Sequence, residues 1–274
     1  MTSKDFITDP QLLDLAKKIS ADTGFDISQY KERPLKRRLA VRLRACQLSS
    51  YQEYAQKLDR DPSEYPKLLD SLTINVTNFY RNPETFSAVS SKVFPLLSAR
   101  SNSVRPLTVW SAGCSSGEEP YSLSILWREF SGNKPSMPEF RVIATDIDLV
   151  SLEKARKGIY DQNSMNEIPP GLVKKYFTVT GPGYSVSDEI KRIVEFRHLD
   201  LFETPQVSEL DLIFCRNVLI YFSRPTQEAI FESFRKSLRP GGFLVLGKVE
   251  TLFGKSKEYF TPFDLKERIY QLNG

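Results

Sequence analysis

The sequence predicts an α/β fold: a doubly wound, mainly parallel sheet with a small antiparallel β insertion, preceded by a small all-α domain. Three observations predict it. Residues 1–90 carry helical periodicities and no strand pattern. From Leu107 onward, apolar runs alternate with helical segments, the rhythm of parallel βαβ units. Between the first such run and the first such helix lies a turn rich in small residues, Ser111-Ala112-Gly113-Cys114-Ser115-Ser116-Gly117.

In chain order, Asp9-Pro10 opens a helix with Leu12, Leu13, Leu15, Ala16 and Ile19 on its apolar face, and Thr23-Gly24 closes it. A second helix runs from about Pro34, with Leu35, Leu39 and Leu43 on one stripe and Lys36, Arg37, Arg38, Arg42 and Arg44 beside it. No acid occurs from Leu35 to Cys46, so this face has no internal ion pairs and suits either a solvated surface or an acidic partner. Further helices are expected over 50–58, from Pro62, and over 84–97 after Asn82-Pro83. The segment 75–83, NVTNFYRNP, is denser in hydrogen-bonding groups than a linker needs. These segments give a helical domain with its linker over 1–90 and a second domain over 91–274.

The second domain begins with a strand over 107–111 and a helix over 118–130. Glu118, Glu119 and Pro120 suit a first helical turn, where the dipole favours acids and the missing N–H of proline costs nothing. A strand, a glycine turn and a helix start form the ligand corner of open α/β sheets. Two acids here oppose a phosphate and favour a cationic or hydroxyl-bearing ligand; S-adenosylmethionine meets that description. An ordinary strand-to-helix turn fits the same residues. The next strand, Phe140 to Thr145, ends at Asp146, which falls within the ~30-residue span of a βαβ unit and is placed to receive ribose hydroxyls. Asp148 and Ser151 are free to cap the following helix, 149–157, leaving Asp146 available. An insertion over about 165–197 contains a short helix at 172–176 and two alternating runs, 176–180 and 193–197, expected to form its antiparallel strands. Strands at 211–215, 243–247 and 269–272 and a helix at 225–238 complete the domain.

Hydrophobic residues make up 40% and charged residues 26%, enough for a sizeable core. A net charge of +4 does not call for a nucleic acid. The three cysteines, Cys46, Cys114 and Cys215, have no paired spacing, so neither a disulfide framework nor a metal site is expected, and a reducing cytoplasm is. No apolar run is long enough to span a bilayer. A single histidine, His198, disfavours mechanisms built on an imidazole base.

Taken together, SAGCSSGEEPYS, TNFYRNP, ATDID, FCRNVLIYF and RPGGFLVLG resemble the bacterial chemotaxis receptor methyltransferases, the CheR family, over nearly the whole chain. The resemblance implies a Rossmann-like S-adenosylmethionine-dependent methyltransferase domain and a protein-glutamate O-methyltransferase activity on methyl-accepting chemotaxis receptors, with S-adenosylhomocysteine as product. It implies that Asn75, Thr77 and Arg81 close over the cofactor and that Gly113, Glu118 and Asp146 bind it. Asp200 and Leu201 match the segment beside the adenine, where some relatives have Asn. Asn217 and Val218 match the motif after the strand at 211–215, and Tyr221 an aromatic near the methyl group. Lys248 stands where relatives often have histidine.

On this resemblance Arg81 and Tyr221 position substrate or methyl group without acting as a base, since a glutamate is already ionised at neutral pH. The basic helix is expected to dock on the acidic cytoplasmic helices of receptors. The short connector after Thr180 implies no dependence on a tethering pentapeptide. A cytoplasmic monomer that neither binds nucleic acid nor inserts in membranes is expected. A methyltransferase of another substrate class, or a non-catalytic module that binds the cofactor, shares the same fold.

Overall fold

The computed structural model describes residues 7–73, 77–100, 105–132, 134, 136–181, 183–202 and 207–274. The chain divides into two units: residues 1–74 with 219–227, and residues 75–218 with 228–274.

The first unit is built on α1 (Pro10–Thr23), α2 (Glu32–Ala45), α3 (Tyr51–Arg60) and α4 (Glu64–Leu72). Asp9 caps α1 by accepting from the backbone N–H groups of Gln11 and Leu12, and Gly24, at φ 74°, ends it in the left-handed region. Ser50 and Glu53 form a reciprocal capping box on α3. Leu12, Ala16, Ile19, Leu39, Tyr54, Leu58 and Leu68 are fully buried. Each such aliphatic side chain contributes about 2 kcal/mol relative to exposure.

Residues 219–227 return to this unit, which the sequence pattern does not reveal. Tyr30 forms an antiparallel bridge to Phe222, with the rings edge-on at 5.0 Å. The Lys31 N–H donates to the Tyr221 carbonyl at 2.8 Å, and the Ser223 N–H to that of Gln29 at 2.9 Å.

A buried polar cluster joins α2, α3 and α4. Glu64 Oε1 accepts from Arg42 Nε and Nη2 at 2.9 and 2.7 Å and from the Tyr54 hydroxyl at 3.0 Å. Burial disfavours the Glu64 carboxylate, but bonds from Arg42 and Tyr54 outweigh it and hold the carboxyl below its usual range. Arg42 is thereby engaged within the fold. Lys36 reaches Asp9 and Glu32, because α2 starts at Glu32 rather than at Pro34 and so includes an acid four residues upstream.

The second unit is a seven-stranded sheet. Its strands are β1 (Leu107–Ala112), β2 (Phe140–Asp146), β6 (Val194–His198), β7 (Leu210–Cys215), β8 (Leu238–Leu246), β9 (Phe260–Asp264) and β10 (Ile269–Leu272), in the order β6-β2-β1-β7-β8-β10-β9. β6, β2, β1, β7 and β8 pair in parallel; β10 and β9 are antiparallel. The order reverses between β1 and β7, so ligands are expected at the carboxyl ends of these two strands. A separate three-stranded sheet contains β3 (Ile159–Tyr160), β4 (Phe177–Thr180) and β5 (Gly183–Val186).

The 193–197 run therefore does not pair with 176–180. β4 pairs with β5, while β6 takes the edge of the main sheet beside β2. Both runs alternate, and alternation marks a half-covered strand without naming its partner. β9 is also absent from the sequence reading, because Pro262 sits in it and is tolerated only at an edge.

The core lies between the sheet and its helices, the first of which are α5 (Pro83–Ala88) and α6 (Phe94–Arg100). α7 (Glu118–Ser131) contributes Trp127, stacked on Phe140 with ring centroids 4.7 Å apart; Phe94 meets both rings edge-on. On the other face, Trp110 meets Phe234 edge-on and donates from Nε1 to Thr145 Oγ1 at 2.9 Å. The helical stretch 83–100 widens at Val89–Val93, where the Phe94 N–H reaches the Val89 carbonyl, a π turn. Pro95 follows it, and a proline inside a helix removes one bond and crowds the carbonyl four residues back.

Glu64→Ala should lower stability by about 3 kcal/mol, because it leaves the Arg42 guanidinium and the Tyr54 hydroxyl without their shared acceptor. Urea unfolding followed by far-UV circular dichroism measures this; a loss below about 0.5 kcal/mol would mean that water replaces the carboxylate.

Candidate functional site at the carboxyl ends of β1, β2, β7 and β8

At the switch point the chain turns off each strand through left-handed backbone. After β1, Gly113, Ser115 and Gly117 have φ of 79°, 49° and 94°. The Gly113 and Cys114 N–H groups donate to the Thr145 carbonyl at 2.8 and 2.9 Å, which holds the turn against the end of β2. After β7, Asn217 has φ 62°. A Cβ at Gly113 would stand 2.5 Å from Cγ2 of Val218, so glycine is required for the two turns to approach. The turns after β1 and β7 thus meet at Gly113 and Val218.

Asp146 binds the first turn from the end of β2. Its Oδ2 accepts from the Ser115 N–H at 2.7 Å and its Oδ1 from the Asp148 N–H at 2.9 Å. Asp148 caps α8 (Leu149–Lys157), as the sequence suggests, yet Asp146 is not idle: it fixes the non-glycine left-handed position in the turn. Each Asp146 oxygen keeps a lone pair for a further donor. Burial raises its carboxyl above the usual value, against which the amides of Asp148 and Ser115 act.

Glu250 makes the equivalent clamp after β7 and β8. Its Oε2 accepts from the N–H groups of Asn217 at 2.8 Å and Gly247 at 2.7 Å. Among the described residues the buried Asn217 Oδ1 has no hydrogen-bond partner. The sequence signal for Glu250, an acid three residues after Gly247 in GKVET, has no meaning until the fold places β7 beside β8.

The two acids of the α7 first turn differ. Glu118 is fully buried, with the Ser116 hydroxyl at 3.1 and 2.8 Å from its two oxygens. Burial pushes its carboxyl up to about 7, and Ser116 acts against that. Glu119 accepts from the Ser111 hydroxyl at 2.8 Å and lies 3.5 Å from Nη1 of Arg216. Burial raises Glu119 too, opposed by the charges of Arg216 and Arg81. The small sheet reaches this corner through Tyr160, whose hydroxyl donates to the Ser116 carbonyl at 2.7 Å.

Of the other predicted residues, Thr77 and Arg81 are half-buried on the segment before the helix Pro83–Ala88. The flanking Tyr80 and Asn82 have φ of 56° and 63°. Asn75 lies outside the described residues. Asp200 and Leu201 are half-buried just after β6, whose His198 pairs with Asp146; Asp200 accepts from the Phe202 N–H at 3.0 Å. Tyr221 is on the turn Leu219–Tyr221 of the first unit. In that unit, Arg37 and Arg44 on α2 are exposed, while Arg38 is half-buried. His198 is exposed, with Nε2 at 3.1 Å from the Ile147 carbonyl. Lys248 pairs with Glu267, which also accepts from Thr85. Arg216 and Glu250 are the site residues that sequence reasoning misses.

Residues 75–269 match the family model described as CheR methyltransferase, SAM binding domain, and residues 10–73 match CheR methyltransferase, all-alpha domain. The chain is 38% identical over 234 residues to chemotaxis protein methyltransferase 2 of Pseudomonas aeruginosa, covering 83% of this chain and 81% of that one. It is 30% identical over 269 residues to the chemotaxis protein methyltransferase of Borreliella burgdorferi, covering 95% of each. It is 33% identical over 234 residues to that of Listeria innocua, covering 85% and 87%.

S-adenosylmethionine is the cofactor of such a domain, and the strand ends fit it. Gly113 lets the turns after β1 and β7 pack together at Val218, the Asn217 acceptor has no partner among the described residues, and the half-exposed Asp146 and buried Glu118 suit hydroxyl and cationic groups rather than a phosphate.

A carboxyl raised by folding favours the fold fully below its usual value of 4.5 and loses that advantage as pH rises through about 7. Without ligand, Glu118→Gln should therefore gain on the order of 3 kcal/mol over the parent at pH 8 and almost nothing at pH 4.5. Denaturant unfolding across this range measures the difference; parallel profiles would show that Glu118 is solvated.

Proposed function

The chain belongs to the CheR methyltransferase family, and from that premise we propose that it methylates glutamate side chains on the cytoplasmic helices of methyl-accepting chemotaxis receptors. The observation that carries the reading is the strand-end constellation of Gly113, Asp146, Asn217 and Val218, with Glu118 buried beside it. It supports a nucleoside ligand that bears a cation and no phosphate.

Bound S-adenosylmethionine supplies an electrophilic methyl group on a sulfonium. An acceptor glutamate titrates near pKa ~4.3 and is a carboxylate at neutral pH, so no protein base has to remove a proton. What the chain contributes is orientation and partial desolvation of that carboxylate. Arg81 offers a planar fork that matches two carboxylate oxygens, and Tyr221 one hydroxyl donor. Both are positioning groups. Asn75, Thr77, Asp200 and Leu201 complete the cofactor contacts in this reading.

The docking face is α2. Arg37 and Arg44 are exposed on it, while Arg42 is committed to Glu64 and Lys36 to Asp9 and Glu32. Receptor helices rich in glutamate complement that charge. β4 ends at Thr180 and β5 begins at Gly183, which supports binding without a tethering pentapeptide. The enzyme works in this reading as a cytoplasmic monomer and takes no nucleic acid.

Incubation with methyl-labelled S-adenosylmethionine and receptor-containing membranes should place label on receptor, and mild base should release it as methanol. Base-stable label, or label on another macromolecule, would contradict carboxyl esterification. Arg81→Ala should lower turnover about 100-fold with the melting temperature unchanged. Full activity in that variant would remove Arg81 from the mechanism.

A further inference from the structure

Arg216 directly follows β7 and is 6% exposed. A guanidinium so buried needs its charge and its donors met. Nη2 donates to the Arg81 carbonyl at 3.0 Å and to Asn82 Oδ1 at 2.7 Å. Nη1 faces Glu119 at 3.5 Å, and the guanidinium carbon lies 5.7 Å from the centroid of the Phe86 ring. Nε has no partner.

The segment this fork holds is strained. Tyr80 and Asn82, on either side of Arg81, are both left-handed, a conformation unfavourable for residues with a Cβ unless the surroundings fix it. The surroundings do. The Tyr80 N–H donates to Ser122 Oγ at 2.9 Å, and the Asn82 N–H to Glu167 Oε2 at 2.9 Å. Arg216 takes the acceptors of the same segment. The partners come from α7, the small insertion and the turn after β7, so three separate parts of the chain fix one three-residue turn. Strain held this way is a mark of a functional position.

We propose that Arg216 is a positioning residue for methyl transfer. It acts through the Arg81 carbonyl and the Asn82 side chain, and it sets where the Arg81 guanidinium stands. The inference rests on the reading of Arg81 as the group that orients the acceptor carboxylate. Glu119 keeps the Arg216 charge balanced, and Ser111 keeps Glu119 in place. Lysine would keep the charge, but its one nitrogen cannot both meet the two acceptors that Nη2 holds and face Glu119 as Nη1 does.

The test compares Arg216→Lys, Arg81→Ala and the double variant in receptor methylation. Calorimetry of S-adenosylhomocysteine binding and melting curves accompany the rates. Arg216→Lys should lower kcat at least tenfold, as a displaced positioning group does, and leave product affinity within about threefold. The double variant should be no slower than Arg81→Ala alone, because both changes remove one function. Unchanged kcat in folded Arg216→Lys, or losses that multiply in the double variant, would overturn the proposal. If Arg81→Ala itself keeps full activity, the underlying reading of Arg81 fails instead, and the inference with it. Should Arg216→Lys fail to fold, Asn82→Gly removes one acceptor of the fork while permitting the left-handed backbone. It should show the same kcat loss, and full activity there would overturn the proposal equally.

Discussion

Everything at the ligand end of this sheet depends on buried carboxylates that hold backbone amides in left-handed turns. A chain leaving a parallel strand must turn within a few residues if a ligand is to reach the strand end. Glycine makes that turn freely at Gly113 and Gly117; Ser115 and Asn217 do not. A non-glycine residue there costs on the order of 1 kcal/mol, and its N–H must find an acceptor away from water. Asp146 supplies that acceptor for Ser115, and Glu250 for Asn217. A charged acceptor makes a stronger bond than a neutral one and offsets the strain. The two clamps sit on either side of the switch point and set the gap between the turns.

The acids of this corner also divide their electrostatic work. Asp146 is stabilised by amides, Glu119 by the Arg216 charge and the Ser111 hydroxyl, and Glu118 by Ser116, its own amide and the Lys154 charge. Burial makes ionisation of Glu118 costly and pushes its carboxyl up to about 7. A cationic or hydroxyl-bearing ligand relieves that cost, whereas a phosphate increases it. In the proposed reaction the acceptor is already ionised at neutral pH, so no histidine base is called for. His198 is exposed and its ring nitrogen meets a backbone carbonyl.

Local chemistry made much of this legible in advance. Asp9-Pro10 and Gly24 bound α1 because capping and proline act within one turn. Gly113, Gly117 and the acids of α7 marked the corner because a strand, a glycine turn and a helix start are contiguous. Asp146 was readable as a strand-end acid, but its grip on Ser115 was not, since that bond spans a whole βαβ unit. Arg216 and Glu250 escaped notice for the same reason: their partners lie 135 and 33 residues away in the chain. Strand partnership was the weakest inference. The pattern of β6 fits an insertion as well as the main sheet, and only its register with β2 decides between them.

The most direct measurement is amide hydrogen exchange with and without S-adenosylhomocysteine. The account predicts slowed exchange in 111–118, 145–149 and 216–218, where the turns close on the cofactor. Protection confined to the opposite ends of the strands, around 127–140, with these turns unchanged, would contradict it.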